Sequence, residues 1–99
     1  MRLLNYECQT AFWQDFSIAE KFGKEAIIDT YKRARKEWGK DKIYGTELSM
    51  VLNRKCWFHY EAQNMEISQL YSKLWAEYHD FVLDNWEGEN LAYYLRVTN

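Results

Sequence analysis

Apolar residues recur along this chain at intervals of three and four, the repeat that gathers them on one side of an α-helix. The pattern is cleanest from Glu66 to Trp86. There Ile67, Leu70, Tyr71, Leu74, Trp75, Tyr78, Phe81 and Val82 fall within about 140° of helical arc, and Gln69, Lys73, Glu77, Asp80 and Asp84 take the other side. From Lys24 to Trp38, the residues Ile27, Tyr31, Ala34 and Trp38 mark a second stripe, flanked by Ile28. A third long helix is predicted from Glu47 to about Gln63, with Thr46 as N-cap and Asn64 as terminator. Upstream, Asn5 is a candidate N-cap for a helix from Tyr6 to Phe16 that puts Cys8, Phe12, Trp13 and Phe16 on one side. The following Ser17-Ile18-Ala19-Glu20 has the form of a capping box and predicts a separate short helix ending at Phe22.

The chain has no proline, so its four glycines, at 23, 39, 45 and 88, are the strongest breaks. Gly39 fits a left-handed C-cap, and residues 40–45 read as a polar connection with two apolar anchors. The piece after Gly88 is expected to be a short helix, because a lone strand would have nothing to pair with. The prediction is an all-α, small single-domain helical bundle over residues 1–99, with three long helices and one or two short ones. Its core is drawn from Phe12, Phe16, Phe22, Ile27, Tyr31, Trp38, Leu48, Leu52, Leu70, Leu74, Tyr78 and Phe81.

Composition adds limits to this picture. Ninety-nine residues form one core, and 18% aromatic content with a net charge of −2 excludes both a disordered chain and a generally basic nucleic-acid binder. No apolar run is long enough for a signal peptide or a membrane span, so a cytoplasmic location and no membrane partner are expected. Two cysteines, Cys8 and Cys56, are too few for a disulfide framework and are expected to be reduced.

Candidate chemistry is sparse. Cys8, Cys56, His59 and His79 could in number form a Cys2His2 zinc set, but neither a C-x2-C nor an H-x3-H spacing occurs. A carboxylate di-metal bundle needs glutamate three residues before a histidine, and those positions hold Cys56 and Ala76. Glu77, His79 and Asp80 splay around their helix, and no phosphate loop or nucleophile elbow is present. No metal, no cofactor and no enzymatic activity are expected. His59 is expected at the core edge, hydrogen-bonded to another helix.

Charge is unevenly placed. Residues 21–42 carry eight basic groups against four acids, and residues 61–99 carry seven acids against two bases. Lys32, Arg33, Arg35, Lys36, Lys40 and Lys42 form a basic patch able to dock an acidic protein or phosphates. Ser17 to Gly23 followed by this basic helix resembles the opening of bacterial helix-turn-helix proteins, with Ala19 and Gly23 at the matching positions. The resemblance covers about twenty residues and implies a DNA-binding regulator reading duplex through helix 24–38 with Lys32, Arg33 and Lys36. It departs at Asp29, where that family places an aliphatic residue, and Glu25 and Glu37 would also meet phosphate.

The third helix carries apolar groups on two sides. Met50 and Trp57 project at about 200° and 180°, opposite the stripe of Leu48, Val51, Leu52 and Phe58, and share their side with Arg54 and Glu61. Such a helix is either central or presents one side to a partner, with tryptophan and arginine as typical anchors. Trp57, together with Tyr44, Tyr93 and Tyr94 in or near loops, is left for a partner to explain. The leading expectation is a non-enzymatic protein-interaction module that inhibits or tethers a larger partner. In size, acidity and lack of catalytic signature it looks like the small accessory proteins of phages and mobile elements, a class that includes anti-CRISPR inhibitors. The helix-turn-helix regulator is the alternative, and a homodimer formed through the aromatic surface is a third reading.

Overall fold

The computed structural model describes residues 5–99, with side chains from Glu7 onward, as five helices and, among the described residues, no strand. They are α1 (Asn5–Glu20), α2 (Lys24–Trp38), α3 (Lys42–Glu61), α4 (Met65–Asn85) and α5 (Gly88–Thr98). The cap expected of Asn5 concerns a side chain outside the described residues. Side-chain pairings give the directions. Gln9 meets Glu47 and Ser17 meets Lys55, so α1 and α3 run parallel. Arg35 meets Glu77 and Lys24 meets Glu66, so α2 and α4 run parallel. Cys56 beside Ser68 and Gly45 beside Tyr78 make α3 and α4 antiparallel neighbours.

The central element is α3, which packs against each of the other four helices. Its first half is enclosed on all sides, with every residue from Tyr44 to Ser49 buried. Gly45 makes that possible: a Cβ there would come within 2.5 Å of the Tyr78 hydroxyl and 2.7 Å of the Trp86 ring. The core is aromatic and edge-on, with Phe16 against Tyr71, Tyr31 against Tyr78 and Trp86 against Tyr94. Burying phenol and indole groups requires partners for their polar ends. Tyr78 and Trp86 both donate to the Gly39 carbonyl, at 3.0 and 2.9 Å. Tyr94 shares hydrogen bonds with Ser49 (3.0 Å) and His79 (2.9 Å), which pins α5 to α3 and α4.

Of the predicted core, all but Phe22 is buried or half-buried; Phe22 is 79% exposed. It sits in the turn after α1, where the chain leaves the helix through the Lys21–Ile18 and Phe22–Ala19 backbone bonds and Gly23 takes φ 111°. No separate helix begins at Ser17. The Ser17 hydroxyl donates back to the Trp13 carbonyl at 2.8 Å and Glu20 is drawn to Lys55, so the capping-box residues serve tertiary contacts and α1 runs on. Thr46 is likewise no cap: it is buried and donates to the Lys42 carbonyl at 2.6 Å. The cap is Asp41, whose carboxylate accepts from the backbone of Ile43 and Tyr44, so α3 starts five residues earlier than a Thr46 cap suggests. Gly39 is right-handed (φ −63°), and the left-handed cap of the fold is Gln63 at φ 62°. Around it the Asn64–His59 and Gln63–Tyr60 backbone bonds close α3 in a Schellman pattern.

Candidate interaction surface

Met50, Arg54, Trp57 and Glu61 lie at i, i+4, i+7 and i+11, one straight stripe down the outer side of α3. The end of α5 flanks that side at Met50 and Arg54, while Trp57 and Glu61 lie beyond it in solvent. Met50 is accordingly half-buried, and with Arg54, Trp75, Val97 and Thr98 it lines a cleft of about 160 Å³ between α3, α4 and α5. Trp57 is 57% exposed, one turn beyond the cleft, and Glu61 is exposed at the helix end. Tyr60, 52% exposed, packs edge-on against Trp57 with ring centroids 5.7 Å apart, and extends the stripe sideways. Sequence periodicity passed over Tyr60 because it lies at about 120° on the wheel, between the two apolar sides. Phe58 is also exposed but leans on Trp13 at 5.6 Å. Tyr44 and Tyr94 are buried and Tyr93 lies beneath Lys42, so the tyrosines expected beside Trp57 belong to the fold.

The basic patch is divided. Arg35 pairs with Glu77 at 2.6 Å and covers the Tyr31 and Phe81 rings, and Lys42 pairs with Glu89 at 3.7 Å over Tyr93. Both cations are thereby used within the fold. Lys32, Lys36 and Lys40 are exposed, make no ion pair among the described residues, and with Arg35, Phe81 and the acids Glu37 and Asp41 border a groove of about 560 Å³. Arg33 points to the other side of α2, where its guanidinium donates to the Thr30 hydroxyl at 3.3 Å. In the helix-turn-helix comparison, Ala19 is buried and Gly23 makes the turn, while Glu25, Asp29 and Glu37 are exposed on the same helix as Lys32, Arg33 and Lys36.

A buried charge cluster joins α1, α3 and α4. Lys55, only 1% exposed, reaches Ser17 at 2.6 Å and Glu20 at 3.0 Å and lies 4.0 Å from the centre of the Trp13 ring. Tyr71 donates to Glu20 at 2.5 Å, and His59 Nε2 comes within 3.2 Å of the same carboxylate, with its ring stacked on Tyr71. His59 therefore meets another helix as expected, at ion-pair distance but without the alignment of a hydrogen bond. Burial alone would raise the Glu20 pKa, but the hydrogen bonds from Tyr71 and Lys55 and the Lys55 charge hold it below the ordinary carboxylate value. Burial lowers Lys55 and the Glu20 carboxylate opposes that shift. Tyr71 is raised, first by burial and then by its bond to Glu20. A serine beside a lysine invites comparison with a nucleophile and its base. Here the serine proton is committed to the Trp13 carbonyl and the lysine to Glu20, so the pair ties α3 to α1, and Tyr71 adds α4 through the same carboxylate.

Glu77, His79 and Asp80 diverge as their spacing requires: Glu77 goes to Arg35, His79 to Tyr94, and Asp80 to solvent. Cys8 is buried, and Cys56 Sγ lies 3.6 Å from the Ser68 hydroxyl. Among the described residues no three His, Cys, Asp or Glu side chains converge as metal ligands, and no helix is long and apolar enough to cross a membrane. Family models, curated proteins and solved structures show no match to this chain.

Proposed function

We propose that this chain is a non-enzymatic protein-interaction module whose contact surface is the outer face of α3, with Trp57 as anchor, Tyr60, Arg54 and Met50 around it and Glu61 at its edge. The single observation that carries the reading is the solvent-exposed Trp57–Tyr60 pair on a helix whose opposite face is already packed. Burying two large rings and an arginine stem against a partner is how interface hot spots acquire most of their energy. A small helical domain with such a face acts by occlusion or tethering, in the manner of small phage and mobile-element accessory proteins, anti-CRISPR inhibitors among them. The test is a comparison of baits in extract of the native host. Wild-type chain retains a protein that Trp57→Ala loses and Lys32→Glu/Lys36→Glu keeps; equal retention by Trp57→Ala sinks the proposal.

The helix-turn-helix reading has one supporting observation, the exposed lysines 32, 36 and 40, which outnumber Glu37 and Asp41 along the same groove. It predicts duplex DNA binding that weakens steeply with salt and is abolished by charge reversal at Lys32 and Lys36. A gel shift on generic duplex separates it from the interaction module.

A further inference from the structure

Two helix faces meet over an open groove of about 510 Å³ on the outside of the α1–α2 pair. It shares no residue with the α3 stripe. Ile18 at the end of α1 and Phe22 in the turn after it give that side of the rim two exposed apolar groups. From α2 come Ala26 and Ala34, eight residues apart on the same face, whose short side chains leave the backbone open to close approach. The arrangement is two-thirds of a three-helix contact with the third place open. Ala26 to Glu37 spans about 17 Å at 1.5 Å per residue, the length of roughly twelve residues of helix.

Charge identifies what fits there. Asp15, Asp29 and Glu37 line this groove and make no ion pair among the described residues, while Arg33 is its sole cation and is bonded only to Thr30. The groove is thus an apolar floor with a net acidic rim, on the same helix whose other side carries Lys32 and Lys36. We infer that it binds an amphipathic helix of a partner protein, about twelve residues long, with leucine-like anchors at i, i+3 or i+4 and i+7 and lysine or arginine flanking them. The apolar anchors supply the contact between Phe22 and the alanines. The basic flanks satisfy the three carboxylates and reject acidic helices.

The test uses a display library of 14-residue amphipathic helices with flanking positions open to Lys, Arg, Asp and Glu, selected on the full chain. Selected peptides are expected to be net basic and to shift the amide resonances of Ile18, Phe22, Ala26 and Ala34. Their affinity is expected to fall about tenfold or more with Asp29→Lys/Glu37→Lys or in high salt, and to be unmoved by Trp57→Ala. Asp29 and Glu37 are exposed, so the charge-reversed chain is expected to unfold at the same denaturant concentration as wild type, which is measured alongside. Any of four results overturns the inference: no enrichment, neutral or acidic winners, affinity indifferent to the charge reversal, or resonance shifts centred elsewhere. Sedimentation showing wild type dimeric and the charge-reversed chain monomeric would assign the groove to a second copy and overturn it as well.

Discussion

Taking the Lys55 ammonium out of water costs several kcal/mol unless its hydration is replaced. Glu20, Ser17 and the face of Trp13 replace it. Removing one member then strands the others. Lys55→Met is expected to lose about 2–3 kcal/mol, because the half-buried Glu20 carboxylate is left without its cation. Glu20→Gln/Lys55→Met is expected to lose clearly less than the sum of the single variants, as measured by urea unfolding. The pH dependence has a definite sign. The Glu20 pKa is lower folded than unfolded, so its contribution is present above the unfolded carboxylate pKa and is lost as pH falls through the folded value. Wild type should therefore lose stability on acidification below about pH 4, and Glu20→Gln should flatten that loss. None of this was legible in the sequence. Ser17 and Glu20 are ideal capping-box types, and the partner that claims them lies on α3, 38 residues from Ser17.

Among the helices, α4 was legible almost residue by residue, because one face is apolar, the other charged, and the boundary is sharp. The start of α3 was not: Thr46 and Asp41 are both good cap types, and the choice is made by α5 and α4 closing over Tyr44 to Ser49, which requires helix from Lys42. Gly45, which reads as a break, is instead a helical position with no room for a side chain. Gly45→Ala should cost about 1–3 kcal/mol, an overpacking penalty that outweighs alanine's better helix propensity. Its readout is the unfolding midpoint together with Trp86 fluorescence. Conversely, Gln63 holds a left-handed conformation that glycine adopts freely. Gln63→Gly should stabilise the chain by about 0.5–1 kcal/mol, and a lowered midpoint would show that the α3–α4 turn does not form this way.

On the scale of the whole molecule, the high aromatic content resolves into two populations. Most of the rings fill the space between five short helices, where edge-on packing and shared hydrogen bonds fix their places. Trp57 and Tyr60, with Phe22 at the opposite rim of the α1–α2 groove, are left to solvent. The stripe of Met50, Arg54, Trp57 and Glu61 was legible because a second apolar side on one helix shows in its rotation. Which half of that stripe is covered was not, since it depends on where α5 docks and ends. The partner role proposed for this face is read from the affinity of the captured partner for Trp57→Ala, determined with the unfolding free energy of the same variant. At least a tenfold loss of affinity, about 1.4 kcal/mol, is expected, while stability changes by less than about 1 kcal/mol. Unchanged affinity, or a loss of several kcal/mol in stability, would contradict it.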